Sequence, residues 1–384
     1  AATQVAESLM HSELIFWLVT LAIMPSAFVA WLAVFFVRRK AISWGLVDQP
    51  GERKVHETPT PMGGGIAIWF AVILPMLLGT VVVLLNGSVT GYLPESIRPY
   101  LTGVEEQLGE LWILLSAGSL MMILGLMDDR KGLSWKTRLL IQFAVAIAVV
   151  SWQGWTLTAF IPYRIITILI SAFWIVALIN SFNMLDNMDG ASAGVAAIAS
   201  TFLAVYVLLP GATPEGPQIF IAGFLFVFVG ALTGFLIHNR PPASIFMGDA
   251  GSYFVGFCIA VTTLLATYTD ARAENWHGIL APLCILAVPL YDMVTVILIR
   301  LREGRSPFQA DKCHFSHRLV ELGLSKPRAV LTMYLTTATC GLAGLLLQLV
   351  SGQGAIIVVL VVMFTLLIVA ILESTARRQV NSVK

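Results

Sequence analysis

The chain has 384 residues, of which 58% are hydrophobic and 12% charged, with a mean hydropathy of +0.85 and a formal net charge of +1. Soluble domains carry about 25% charged residues, so this composition defines a polytopic membrane protein, and the near-neutral balance without a long basic run excludes nucleic acid as a partner. Cys258, Cys284, Cys313 and Cys340 show no C-x-x-C spacing and predict neither a disulfide framework nor a structural zinc.

Runs of roughly 17 to 25 apolar residues are long enough to cross the hydrocarbon as helices. Eleven are predicted, at about 14–37, 63–85, 111–127, 138–153, 164–180, 190–209, 218–237, 250–268, 278–299, 329–350 and 354–373. The fold class is therefore all-α, a single transmembrane domain over 1–384, with no internal repeat. The opening AATQVAESLMHSE has no basic start and no A-x-A site, so the first run is expected to be a retained span rather than a signal peptide. Of the 23 Lys and Arg residues, 20 fall in the odd-to-even connections and the tail. Basic residues are retained on the cytoplasmic side. The N-terminus is expected outside and the C-terminus in the cytoplasm.

The polar stretches then collect on the cytoplasmic side: 48–65, 127–138, 180–190, 238–252 and 302–318. Asp128 and Asp129 end the third span as an adjacent pair, and two neighbouring carboxylates at a membrane boundary call for a cation or a basic partner. Lys131, Lys136 and Arg138 are nearby candidates, and a plain helix cap is the alternative. Asn183, Asp186 and Asp189 follow the fifth span. The two acids share a face at i, i+3 and, with the amide, offer hard oxygen ligands suited to Mg²⁺ rather than zinc; a helix break with Asx turns is the alternative. Asp249 sits between glycines at the start of the eighth span, where exposed N–H groups favour an anion. The glycines at 63–65 lack a following Lys-Ser/Thr and form no P-loop. Carboxylates, amides, lysines and helix starts at one interface describe a Mg²⁺–diphosphate site at lipid-headgroup level, with a phospholipid or polyprenyl phosphate as a plausible second substrate.

Five ordered motifs, D-x-P-x-x-R-K-x-H-x-x-P-x-P-x-G-G, M-D-D, N-x-x-N-x-x-D-x-x-D-G, F-M-G-D-A-G-S and D-K-x-H-x-x-H-R, span about residues 45–330. Together they closely resemble the polyprenyl-phosphate N-acetylhexosamine-1-phosphate transferases, membrane enzymes that move a sugar phosphate from a UDP-sugar to a polyprenyl phosphate such as undecaprenyl phosphate at the start of envelope polysaccharide synthesis. The resemblance implies Asn183 and Asp249 as ligands of Mg²⁺, with Mn²⁺ as a substitute, and Asp186 close to the diphosphate. It implies Asp189 at the uracil, Phe246 stacked on the base and Lys136 on the diphosphate. Asp128 and Asp129 match the pair facing the lipid phosphate, one of which has been proposed as base or nucleophile. His314, His317 and Arg318 match a loop that contacts the sugar or its phosphate, and Asp48 and Lys54 of the first motif join the substrate-binding residues. Asp292, inside the ninth span, resembles a supporting position. Ser316 stands where bacterial relatives often carry a middle histidine, which leaves that loop's individual roles open.

Gln309-Ala-Asp-Lys-Cys-His resembles the N-acetylglucosamine branch rather than the phospho-MurNAc-pentapeptide branch. A UDP-N-acetylhexosamine donor, a multi-pass inner-membrane location with a cytoplasmic site, and a homodimer as an open question follow from the resemblance. A transporter is the alternative from another class. Transporters place ionisable groups near the bilayer midplane, commonly within inverted repeats, whereas these acids cluster at one face.

Overall fold

The computed structural model describes residues 2–49, 59–85, 95, 98, 101–157, 161–209, 216–266, 276–309 and 313–382. Helix α1 (Ala2–Ala41) leads into a two-stranded antiparallel ribbon, β1 (Val47–Asp48) with β2 (Thr60–Pro61), in which Asp48 pairs with Thr60. Then follow α2 (Gly64–Leu84), a short α3 (Leu101–Glu106), α4 (Leu108–Lys131), α5 (Trp135–Gln153), α6 (Arg164–Leu185), α7 (Ala191–Leu208), α8 (Ile219–Asn239) and α9 (Gly248–Leu265). A 3₁₀ turn (Trp276–Leu280) opens α10 (Ala281–Ile285) and α11 (Ala287–Arg302), and α12 (Phe315–Glu321), α13 (Lys326–Leu349) and α14 (Gly352–Ser382) complete the chain.

Among the described residues ten helices are long and apolar enough to cross a membrane, and an eleventh crossing results if a bent pair is taken as one span. That pair is the ninth predicted run. His277–Ile285 and Ala287–Arg302 meet at 69° rather than forming one straight helix. Pro289 has no N–H to give to the carbonyl of Ile285, and its ring crowds the preceding turn, so the helical ladder is interrupted there. The 302–318 stretch, expected to be a loop throughout, contains the start of the short helix α12.

Helices α7, α8 and α9 form the centre. Their Ala, Val, Leu and Phe side chains are buried on nearly every face, as in Ala193, Leu203, Phe228, Phe235, Phe254 and Phe257. Outer helices instead present large apolar groups outward, among them Phe28 and Phe36 on α1 and Phe364 and Leu367 on α14. Such a surface suits lipid, not water. Toward the site the packing is closer still. A Cβ on Gly65 would lie 2.1 Å from the backbone nitrogen of Gly251, so only glycine lets the start of α2 lie against the start of α9. The N–H groups of Gly64 and Gly65 donate to the carbonyls of Phe246 and Met247, both at 2.9 Å.

Candidate active site

The third and eighth spans meet at their acids. Asp129, in the last turn of α4, accepts hydrogen bonds from the N–H groups of Asp249 (2.9 Å) and Ala250 (3.1 Å). Met247, the residue before α9, makes no side-chain cap, so a carboxylate from 120 positions upstream supplies it. Gly248, with φ at +71°, lets that carboxylate come close, since a Cβ there would lie 2.7 Å from Asp129 Oδ2. The Gly248 N–H is directed to Asp186. The sequence expectation that this helix start would bind a substrate anion is thereby corrected: three successive N–H groups already serve the protein's own Asp186 and Asp129.

Asp128 faces a different set of partners. Oδ1 accepts from the Leu133 N–H (2.7 Å), and Oδ2 accepts from Arg138 Nη1 (2.9 Å) and the Tyr253 hydroxyl (2.8 Å). Of the three cations considered beside the pair, Arg138 forms the salt bridge. Lys136 is exposed on the first turn of α5, its ammonium 5.6 Å from the centroid of the Trp135 ring. Trp135 is in turn stacked parallel on Phe308 of the 302–318 stretch at 4.0 Å.

The fifth span brings the amide. Asn183 Nδ2 donates to Asp249 Oδ1 (2.6 Å) and to Ser252 Oγ (3.0 Å), which ties α6 to α9. With its nitrogen so occupied, the carboxamide oxygen remains for a cation. Asp186 caps the end of α6. Burial lifts its carboxyl to about 7, the charges of Asp129 and Asp189 adding to the rise and the Gly248 N–H opposing it. Asp48, on the ribbon, is close enough to act electrostatically on Asp129. Asp189 accepts from the Ala243 N–H (2.9 Å), and Asn239 joins the same two loops by accepting from Gly190 N–H (3.0 Å) and donating to the Ile245 carbonyl (2.9 Å). Phe246 is half-buried between the ribbon and α2, its N–H donating to the Pro61 carbonyl (2.9 Å).

The fifth loop joins from the far side. His314 is buried, with Nδ1 3.0 Å from Asp292 Oδ2, and the Phe315 N–H donates to Asp292 Oδ1 (2.5 Å). This orients the ring and leaves Nε2 as its outward nitrogen. His317 is half-buried, its ring centroid 6.3 Å from that of His314. Ser316, the departure from the histidine pattern, is buried and hydrogen-bonded to Asn187, which lies between Asp186 and Asp189. Arg318 is buried as well: Nε donates to Glu373 Oε2 (2.8 Å), Nη2 to Thr295 Oγ1 (2.9 Å) and Nη1 to the Cys313 carbonyl. These contacts make it a brace between α12, α11 and α14. Lys54 lies outside the described residues.

Asp128, Asp129, Asp186, Asp249 and Asn183 are thus brought together around the start of α9, whereas Lys136 is exposed on α5, His317 is half-buried on α12 and Arg318 is engaged by Glu373 and Thr295. Sequence reasoning weighed Arg138 as a partner but missed Tyr253 and Asn239; the signal was their position, four residues beyond Asp249 and at the end of the seventh span. Among the described residues no three His, Cys, Asp or Glu side chains form a ready metal cage. Mg²⁺ does not require one, because it keeps several waters and is typically held by one or two carboxylates plus substrate phosphates. Four carboxylates with a single paired guanidinium fit such a hard divalent cation.

An all-helical membrane bundle with this acid centre matches the glycosyl transferase family 4 model over residues 111–267, which cover α4 to the end of α9. The chain is 30% identical over 342 residues to a probable undecaprenyl-phosphate N-acetylglucosaminyl 1-phosphate transferase of Bacillus subtilis (strain 168), covering 87% of this chain and 86% of that protein. It is 33% identical over 336 residues to the decaprenyl-phosphate N-acetylglucosaminephosphotransferase of Mycolicibacterium smegmatis, covering 81% and 78%. The undecaprenyl-phosphate alpha-N-acetylglucosaminyl 1-phosphate transferase of Escherichia coli (strain K12) is 28% identical over 342 residues, covering 83% and 80%. The chain belongs to the polyprenyl-phosphate N-acetylhexosamine-1-phosphate transferase family, alongside its N-acetylglucosaminyl members.

Proposed function

We infer that the protein transfers N-acetylglucosamine 1-phosphate from UDP-N-acetylglucosamine to a polyprenyl phosphate, releasing UMP, as the first step of an envelope polysaccharide. The observation that carries the reading is the gathering of Asp128, Asp129, Asp186 and Asp249 at the start of α9, in a chain similar over 87% of its length to an undecaprenyl-phosphate N-acetylglucosaminyl 1-phosphate transferase. A transporter does not account for that family membership, and no relative described above is a phospho-MurNAc-pentapeptide transferase. The placement of 20 of 23 basic residues supports an N-terminus outside, a C-terminus in the cytoplasm and a site facing the cytoplasm from the inner membrane.

In this reading Asn183 and Asp249, with Asp186, would hold Mg²⁺, which would supply charge neutralisation at the diphosphate. Lys136, exposed on the first turn of α5, is assigned to the entering diphosphate. Asp189 and Phe246 line the side assigned to uracil, Asp48 lies by the ribbon, and His314 presents Nε2 toward the sugar phosphate. An oxygen of the polyprenyl phosphate attacks the sugar-bearing β-phosphorus in line, one P–O bond forms, the diphosphate P–O bond breaks, and UMP leaves. With a second pKa near 6, much of the acceptor is already a dianion at neutral pH. The contacts of Asp128 and Asp129 support this one-step path over an aspartyl-phosphate. Every oxygen of the pair already accepts a hydrogen bond, and a nucleophilic Asp129 would have to abandon the cap of α9.

The test is purified protein with UDP-N-acetylglucosamine, Mg²⁺ and undecaprenyl phosphate, reading UMP and lipid-linked sugar. Both products are expected in equal amounts, and no UMP burst without lipid. Product only from UDP-MurNAc-pentapeptide would overturn the donor assignment, and a lipid-independent UMP burst lost in Asp128→Asn or Asp129→Asn would overturn the one-step path.

A further inference from the structure

A crevice of about 410 Å³ opens between the last turns of α8 and the first turns of α13, at the same end of the bundle as the acids. Its volume falls within the roughly 300–1,000 Å³ of small-molecule sites. Leu236, Ile237, Val330 and Leu331 make its walls apolar, Tyr334 closes one side, and Arg240 stands among the lining residues. Arg240 is exposed, and its guanidinium makes no ion pair or hydrogen bond with the described residues. Pro327 begins α13 here, so the mouth lies where the helices leave the hydrocarbon, beside the exposed Lys326 and Arg328. An apolar slot under a cationic mouth at that depth is complementary to an acyl chain carrying a negative headgroup.

The crevice also touches the site. The Tyr334 hydroxyl donates to the Gly190 carbonyl (2.6 Å), and the Gly190 N–H donates to Asn239, the neighbour of Arg240. Gly190 follows Asp189 directly. We propose that this crevice binds a phospholipid with an anionic headgroup, one acyl chain between α8 and α13 and the phosphate on Arg240, and that its occupancy steadies the Asp186–Gly190 turn through Tyr334. The acceptor lipid is a poorer occupant, because Asp128 is held by Arg138 of α5 and Tyr253 of α9, and neither helix lines the crevice.

The binding half stands by itself; the effect on transfer rests on the transferase reading. Wild type, Arg240→Gln, Leu331→Trp and Tyr334→Phe are reconstituted in phosphatidylcholine nanodiscs with and without phosphatidylglycerol. Phosphatidylglycerol retained per chain is then read by native mass spectrometry after detergent exchange. Wild type and Tyr334→Phe should retain it, while Arg240→Gln and Leu331→Trp, at exposed positions that leave folding intact, should bind it about tenfold more weakly, as for one lost charge-assisted hydrogen bond or a filled slot. Phosphatidylglycerol should raise transfer several-fold in wild type and not in Arg240→Gln or Tyr334→Phe. Equal retention in all four proteins, equal retention of phosphatidylcholine, displacement by undecaprenyl phosphate, or a change of oligomeric state in its place would each overturn the binding half. Retention without any change in transfer would overturn the coupling. A wild type that retains the lipid yet never transfers sugar phosphate would sink the transferase reading and leave the lipid site standing.

Discussion

The start of α9 and the short helix α12 both bury charge, and they treat it differently. Around α12 each acid has a matched partner: Asp292 holds His314 and the Phe315 N–H, and Glu373 holds Arg318 and the Tyr291 hydroxyl. Around α9 the carboxylates outnumber the cations, with Arg138 paired to Asp128 while Asp129, Asp186 and Asp249 are held by N–H groups and an amide. A matched pair braces the fold; an unmatched excess of negative charge is an invitation to a cation and whatever that cation carries. The proposed chemistry is assigned to the unmatched end.

The largest test of the contrast removes the excess. Asp249→Ala should lower transfer about 10³-fold, since one ligand to a metal at the reacting phosphates is worth several kcal/mol, while the protein still inserts and elutes normally. Near-normal turnover with Mg²⁺ limiting would take Asp249 out of the site. Next comes the matched side. Arg318→Ala leaves Glu373 buried and uncompensated, which costs on the order of 3–5 kcal/mol of stability, whereas replacing both with Arg318→Met and Glu373→Leu should recover most of the melting temperature. A double variant no more stable than the single one would contradict the brace. Smaller than both is the effect of Asp292→Asn, which lets the His314 ring turn. It should lower kcat roughly 10–100-fold with little change in KM for the donor, and Asp292→Glu should restore part of it. A rise in KM alone would place His314 in binding only.

The bundle was largely legible because hydropathy reports lipid exposure directly, and ten of the eleven predicted runs are single helices. The ninth was not, although Pro289 carried the signal: a run can be apolar throughout and still be unable to keep its hydrogen-bond ladder. The acids were legible by type and sidedness. Their partners were not. That Asp129 caps a helix 120 positions away depends on how α4 and α9 cross, which no local spacing encodes, and Glu373 sits in an apolar run where nothing nearby announces Arg318. Ser316 gains its meaning only from Asn187 across the site.

The smallest effect is a pH dependence. Asp186 carries a folded-state value near 7 against an ordinary 3.8, so in the cation-free protein the folded state binds more protons than the unfolded one between those values. Stability without a divalent cation should therefore fall as pH rises from about 4 to 7, and level off above. Cation binding favours the ionised form, so apparent Mg²⁺ affinity should climb up to about tenfold per pH unit below 7 and flatten above it. Asp186→Asn should remove both trends; an unchanged profile would mean that another group titrates.

The central claim, that the unmatched acids at the start of α9 hold a divalent cation together with the diphosphate, is tested most directly by counting bound Mn²⁺ by electron paramagnetic resonance in the presence of UDP. One tight ion per chain is expected in wild type and in Asp292→Asn, with the ion lost in Asp249→Ala and weakened in Asn183→Ala and Asp186→Asn. A tight ion that survives Asp249→Ala and Asp186→Asn unchanged would contradict the account.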